Sequence, residues 1–156
     1  MSLESGPIDE AGARQCSIAD TLDILGDRWS LLIVRECGYG VHRFNAIQRN
    51  TGAPRDVLAG RLKRLEAATV IRRELYCPRP ARHEYHLTDS GRELFPILLC
   101  LRDWGERHLH GDAPAINPVW HECGAPLHVE TICDTCRGAV APEQLRYTAG
   151  GSKRGR

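Results

Sequence analysis

The segment of residues 53–66, APRDVLAGRLKRLE, constrains the fold most because it predicts a short amphipathic helix with an unusual outer face. Leu58, Leu62 and Leu65 recur at helical spacing, so they share one side of that helix. The opposite side is small and cationic, and it carries Asp56, Ala59, Gly60, Lys63 and Arg64. Small side chains allow close approach to a polyanion, and cations bind its phosphates. This side, with Arg55 near the N-terminus, therefore predicts a helix that enters a nucleic-acid groove. A solvated surface face is the alternative interpretation.

Positive charge is concentrated around this helix, although the chain of 156 residues has a net charge of only +1. Between positions 42 and 83 there are ten Lys and Arg against three acidic residues, whereas the remainder has 11 basic and 17 acidic residues. One basic block in a nearly neutral chain predicts an anionic partner.

The cysteines and apolar residues indicate the compartment. Seven cysteines, an odd number scattered along the chain, do not resemble a secreted disulfide framework. No apolar run approaches the roughly 18 residues of a membrane span, and residues 1–15 show no signal peptide. We therefore expect a cytoplasmic protein without membrane association, whose segment 1–15 is flexible.

The order of helices and strands predicts a winged helix-turn-helix fold, mainly α with a small β-hairpin wing. Apolar periodicity and turn residues predict helices at about 17–25, 28–37, 43–49 and 53–66, and strands at 70–77 and 83–87. The proline-containing turn between the strands carries Arg79 and Arg82. We expect the helix at 53–66 to lie in the major groove of duplex DNA and these two arginines to contact its backbone or minor groove. Arg43 and Arg49 are expected at phosphates.

A further helix is predicted from about residue 90 to 110, bent by Pro96. Its apolar stripe consists of Leu94, Ile97, Leu98, Leu101 and Trp104. The helix is longer than one winged-helix core needs. It either folds back on that core or, as we favour, contacts the same helix of a second chain together with the first helix. A two-fold dimer predicts a near-palindromic operator.

The segment 117–140 differs in composition and predicts a small zinc-ribbon-like unit. Cys133 and Cys136 form a CxxC motif followed by Gly138, a tight turn that lets two thiolates face one metal ion. His121 and Cys123 complete a tetrahedral set for a structural Zn²⁺, with His128 as the alternative histidine. A reduced dithiol and a Cys133–Cys136 redox pair are the alternatives.

The basic, glycine-rich tail 149–156 is expected to be disordered.

These motifs, in this order, resemble the HxlR-type transcriptional regulators, winged-helix proteins of bacteria and archaea. The resemblance covers residues 16–109. It is carried by Cys16, Leu25-Gly26-x-x-Trp29, Arg43-Phe44, Leu58-x-x-x-Leu62-x-x-Leu65-Glu66, Pro80-x-x-x-Glu84-Tyr85-x-Leu87-Thr88-x-x-Gly91 and Trp104. One departure is Thr69, where the family usually has glycine after the recognition helix.

The resemblance implies a homodimeric DNA-binding regulator of transcription, with residues 16–111 as its DNA-binding and dimerisation domain. It also implies that Cys16 is a candidate redox sensor, since a cysteine at this position senses electrophiles or oxidants in several such regulators. A thiol just before a helix is chemically suited to that role, and an inert, partly buried thiol is the alternative. A small-molecule effector between core and dimer helices is the other possible input.

Two other functions compete with this interpretation. One is a zinc-binding adaptor for protein interactions, and the other is a thiol oxidoreductase using Cys133 and Cys136. No βαβ pattern, phosphate-binding loop or nucleophile elbow accompanies the CxxC motif, so we expect no enzymatic activity.

Overall fold

The computed structural model describes residues 16–110 and 118–146. The chain divides into two compact units, of which the larger is Leu22–Val129. The smaller contains the described residues 16–21 and 130–146. The segments predicted to be flexible, 1–15 and 149–156, lie outside the described residues.

Six helices and one hairpin form the described winged helix-turn-helix architecture. The helices are α1 (Ser17–Leu25), α2 (Ser30–Gly38), α3 (Phe44–Thr51), α4 (Arg55–Ala67), α5 (Asp89–Arg92) and α6 (Phe95–Gly105). The strands are β1 (Ile71–Pro78) and β2 (Ala81–Leu87), which pair in antiparallel fashion. This arrangement confirms the predicted mainly α fold with a β-hairpin wing.

The core of the larger unit lies between α2, α3, α4 and the base of the hairpin. Leu58, Leu62 and Leu65 are at most 2% exposed, so the leucine side of α4 is buried as predicted. They pack in one cluster with Ile33 and Ile47 from the two preceding helices. Because α4 is fixed by this side, its opposite side faces outward.

Two local contacts fix the helix-turn-helix. Gly52 takes a left-handed conformation with φ of 72° and ends α3, so three residues connect α3 to α4. The Asp27 carboxylate precedes α2, accepts hydrogen bonds from the backbone of Trp29 and Ser30, and lies 3.3 Å from the guanidinium of Arg61 on α4. Partial burial alone raises the pKa of Asp27, but hydrogen bonds from Ser30 and Trp29 and the Arg61 charge together lower it. The Asp27 contacts thus join the start of α2 to α4.

Thr69 allows the chain to leave α4 despite the absence of glycine. It takes the left-handed conformation with φ of 57°, and the next amide, Val70 N–H, donates to the carbonyl of Leu65 at 2.9 Å. This is the closing pattern normally built with glycine. The hydroxyl groups of Thr88 and Ser90 donate to the Thr69 carbonyl and stabilise this turn.

A very short segment before α3 pairs with the hairpin beside its second strand. An irregularity between Leu75 and Cys77 shifts its register, and the Arg79–Pro80 peptide at the tip is cis. On the open edge of β2, the segment before α3 forms an isolated bridge between Arg43 and Glu84. This bridge attaches the wing to the start of α3.

The predicted single helix at 90–110 is wrong in detail, because the structure divides it. Thr88 caps the short α5, whose Gly91 amide donates to the Thr88 hydroxyl, and the chain then restarts as α6. Pro96 lies in the first turn of α6 instead of bending a continuous helix. Proline lacks an N–H group and is favoured where a helix begins. A π-helical turn, Glu106–His110, follows α6.

The cysteine-containing segments form two small turns, one in each unit. In the larger unit, Trp120 bridges to Pro126 around Gly124, whose φ is 85°. In the smaller unit, Ile132 bridges to Ala139 around the CxxC motif. Within residues 16–110 and 118–146, no helix has the length and apolarity needed to cross a membrane.

Candidate nucleic-acid interface

A basic cleft of about 620 Å³ lies between the start of α3, the start of α4 and the hairpin. Four of the predicted DNA-contacting side chains line it, namely Arg43, Arg49, Arg55 and Arg82. None of the described residues that line the cleft is acidic. The structure therefore brings helix and wing arginines to one surface, which we call the arginine cleft.

Aromatic rings position two of these arginines. The Arg55 guanidinium carbon lies 5.0 Å from the centre of the Phe44 ring, and that of Arg43 lies 4.8 Å from the Tyr76 ring. Arg43 also pairs with Glu84 at 3.0 Å between Nε and Oε1. A guanidinium stacked on a ring keeps its in-plane N–H groups available, which suits recognition of phosphate or a guanine edge.

The outer side of α4 is mostly open to an approaching surface. Asp56, Gly60 and Lys63 are exposed, and nothing lies within 4 Å of the space that a side chain on Gly60 would occupy. Ala59 is half-buried. Arg64 differs, because its Nη2 donates to the carbonyl of Asp23 on α1 at 2.5 Å. This bond directs one end of the Arg64 guanidinium toward α1.

The two arginines at the wing tip have different surroundings. Arg82 lines the arginine cleft, whereas Arg79 is exposed next to the cis proline and does not line it. Arg82 therefore acts with the helices, and Arg79 extends the wing beyond them.

Sequence reasoning missed several side chains of the cleft. Asn45, Tyr76 and His83 also line it, and their donors and rings suit contacts with DNA. Tyr76 lies beside Arg43 although 33 positions separate them, so helical or strand periodicity alone gives no signal for the pair.

The thiols lie in different environments. Cys16 is half-buried just before α1, whereas burial, reinforced by Glu36, raises the pKa of the Cys37 thiol to about 12, so this thiol stays protonated. Hydrogen bonds from the Cys136 and Thr135 backbone N–H groups, together with the Cys136 side chain, lower the pKa of the Cys133 thiol. The CxxC turn thus favours a thiolate at Cys133.

The predicted zinc ligands are distributed over both units. His121 and Cys123 belong to the larger unit, where the Cys123 amide lies 3.2 Å from His121 Nδ1, and Cys133 and Cys136 belong to the smaller. Within the part of the chain that the structure describes, no group of three or more His, Cys, Asp or Glu side chains is placed to hold a metal ion. The zinc set therefore stays a prediction.

A helix-turn-helix with a basic cleft beneath a β-hairpin defines the class of winged helix-turn-helix proteins. Residues 24–113 match the model of the HxlR-like helix-turn-helix family, so the chain belongs to this family, as its motifs predict. Like its relatives, it is a transcriptional regulator and not an enzyme.

Three relatives illustrate the similarity. An uncharacterized HTH-type transcriptional regulator of Mycobacterium tuberculosis is 40% identical over 135 residues, which cover 86% of this chain and 85% of the relative. The crystal structure of PA1607, described as a candidate transcription factor, has a TM-score of 0.77 at 31% identity and covers 87% of this chain and 96% of its own. The redox regulator HypR in its oxidized form has a TM-score of 0.52 at 34% identity, covering 60% of this chain and 97% of its own.

Proposed function

We propose that the protein is a homodimeric regulator that binds duplex DNA through the arginine cleft, the outer side of α4 and the wing. The observation that carries this proposal is the convergence of four arginines from helices and wing on one surface, where no described lining residue is acidic. A rod of phosphates matches such a surface, because both walls of the cleft contact it at once.

Each part of the surface has a separate role in this proposal. The open side of α4 lies in the major groove and places Arg55, Asp56, Ala59, Gly60, Lys63 and Arg64 toward base edges and flanking phosphates. Arg43 and Arg49 contact phosphates beside α3. Arg82 and Arg79 follow the backbone or enter the adjacent minor groove.

The proposed dimer rests on an apolar stripe of α6 that the described chain leaves exposed. Ile97, Leu101 and Trp104, spaced four and three residues apart, are 45%, 52% and 53% exposed. Leu94 and Leu98, which belong to the same predicted stripe, instead pack against the core. Exposed apolar stripes of this kind mark protein contacts, and a two-fold dimer would read a near-palindromic operator.

Selection of bound fragments from genomic DNA, followed by a salt titration, tests the proposal. If the four cleft arginines of both subunits contact phosphates, log Kobs should fall with log salt with a slope of about −7. The measurement is fluorescence anisotropy of a selected fragment between low and physiological salt. Selection of no fragment, or a slope near zero, contradicts the proposed function. Such a regulator would act in the cytoplasm, where its DNA is found.

We also propose that Cys16 senses oxidants. Its position before α1, its partial exposure, and the similarity of the chain to the redox regulator HypR support this role. Diamide treatment of the wild-type protein is expected to change operator affinity at least about fivefold, and Cys16→Ser should abolish the change. Cys37→Ser is the matched control, because the Cys37 thiol is buried and protonated. An unchanged diamide response in Cys16→Ser rules out this sensor.

We further propose a structural Zn²⁺ held by Cys133, Cys136, Cys123 and either His121 or His128, in a zinc-ribbon-like segment. The thiolate-favouring CxxC turn supports it, as does the sparse core of a segment whose residues are mostly exposed. Protein purified without chelator is expected to contain about one zinc per chain by elemental analysis. Cys133→Ser/Cys136→Ser should lose it, whereas Cys77→Ser/Cys100→Ser should retain it. Zinc-free wild-type protein contradicts the site.

A further inference from the structure

A small cavity of about 290 Å³ lies between parts of α2 and α6. Its walls are mostly apolar and include Leu31 of α2, Phe95, Leu98 and Leu99 of α6, and Val119. This volume is near the lower end of the range of small-molecule sites, which combine apolar walls with few polar groups. Among the described residues, the cavity shares no lining residue with the arginine cleft.

One polar group in its wall, on Arg102, has no partner among the described residues. The Arg102 guanidinium bonds to Asp103 through Nε and Nη2, at 3.0 and 2.7 Å, and Nη2 also donates to the Leu127 carbonyl. Its Nη1 is buried and has no hydrogen-bond partner within residues 16–110 and 118–146. A buried N–H donor without an acceptor is costly and rare in native proteins, so this donor favours a ligand that brings an acceptor to it.

A second arginine in the wall pairs with a carboxylate in the same way. Arg35 bonds to the carboxylate of the next residue, Glu36, through Nε and Nη2 at 3.1 and 2.7 Å. Nη1 of Arg35 takes no part in these two bonds. Because each guanidinium has its own carboxylate, the wall offers N–H donors without a net positive charge. Such a wall suits an uncharged oxygen acceptor better than an anion.

We propose that this cavity binds a small uncharged apolar molecule with one carbonyl oxygen, which accepts a hydrogen bond from Arg102 Nη1 while its apolar body packs between α2 and α6. The regulatory meaning of the site rests on the proposed DNA-binding function, but the binding itself does not. This assigns a ligand class and a place to the effector of the regulator.

A chain of contacts leads from the cavity to the DNA-binding helices. Glu36, which holds Arg35 through Oε1, accepts a hydrogen bond from Asn50 of α3 through Oε2 at 2.7 Å. Glu36 is 4% exposed, so this contact is protected from water. Glu36 thus links Arg35, a residue of the cavity wall, to α3, the helix that precedes the turn to α4.

Three probes of similar shape test the ligand class. Acetophenone has a carbonyl oxygen, ethylbenzene has none, and benzoate carries a charge. Binding to the full-length protein without DNA is measured by ligand-observed NMR, where a probe of this size is expected to bind with a Kd of about 1 mM. Acetophenone should bind roughly tenfold more tightly than ethylbenzene, because one buried hydrogen bond has about that effect. It should also bind more tightly than benzoate.

Variants assign the binding to this cavity. Arg102→Met should remove the preference for acetophenone over ethylbenzene, whereas Arg92→Met, which replaces an arginine outside the cavity, should preserve it. Leu98→Trp fills the cavity and should abolish binding of both probes. Leu98→Met, of nearly unchanged volume, is its control for folding.

Arg102 also borders a wider cleft beside Trp120, and probe binding that survives Leu98→Trp places the ligand there and overturns the proposal. Equal affinity for ketone and hydrocarbon, or tighter binding of benzoate, also overturns it. DNA titration of the same samples detects failure of the proposed function separately.

Discussion

Simultaneous replacement of Arg55 and Arg82 by alanine is expected to weaken operator binding about 100- to 1000-fold. The two side chains line opposite walls of the arginine cleft, one on α4 and one on the wing. A dimer loses four such contacts. At about 1 kcal/mol each, their loss totals about 4 kcal/mol, which corresponds to the upper part of this range. Neither residue is buried, so the fold should be retained.

The salt dependence separates lost phosphate contacts from a general loss of charge. Removal of four phosphate contacts should make the slope of log Kobs against log salt shallower by about 3 to 4. Arg28→Ala/Arg92→Ala removes the same formal charge from exposed positions that do not line the cleft. This control should change affinity less than about threefold, with the slope preserved. The double variant and its control are compared by fluorescence anisotropy on one selected fragment, after circular dichroism has shown that both are folded. Equal losses in the two proteins would mean that the cleft has no special part in binding.

The residues of the cleft show which parts of the site were predictable from sequence. Helical periodicity placed Leu58, Leu62 and Leu65 on the buried side of α4, and the outer side followed from geometry alone. The concentration of arginines between positions 42 and 83 indicated the anionic partner. Local signals of this kind are repeated along the chain, so one sequence is enough to detect them.

Contacts between distant positions could not be predicted in this way. The stacking of Arg43 on Tyr76, and its bond to Glu84, depend on how the wing closes against α3. The bond from Arg64 to the Asp23 carbonyl joins positions 41 residues apart and removes part of a predicted DNA-contacting side chain from the free surface. Tertiary packing determines which distant residues meet, and the spacing of residues along the sequence does not predict these contacts.

The break between α5 and α6 shows a different limit. Pro96 is compatible both with a bend inside a long helix and with the first turn of a new helix. The apolar helical periodicity from 90 to 110 continues on both sides of Pro96. Periodicity therefore does not distinguish a bent helix from two successive helices. The choice determines which side of α6 points away from the core, and therefore where a second subunit can bind.

The second large effect is expected from Leu101→Glu/Trp104→Glu on that outer side of α6. Both side chains are about half exposed, on the same side of the helix, and neither belongs to the core cluster. In a dimer they would be buried, and two glutamates per subunit placed opposite each other would have to lose their hydration without a partner. The variant should therefore be a folded monomer at micromolar concentration, with unchanged circular dichroism.

Loss of the dimer should weaken operator binding about 100- to 10,000-fold. In a dimer, binding of one α4 raises the effective concentration of the other at the second half-site, and a monomer lacks this advantage. Sedimentation velocity measures the association state, and fluorescence anisotropy on full and half operators measures binding. The monomer should bind both DNA fragments with similar, weak affinity, because it has one recognition helix. Ile132→Glu/Leu145→Glu introduces the same charges at exposed apolar positions outside α6 and should remain a dimer. If the α6 variant stays dimeric and binds normally, this stripe is not the interface. The arginine cleft then remains a DNA site on a differently assembled protein, since the cleft is built entirely within one subunit.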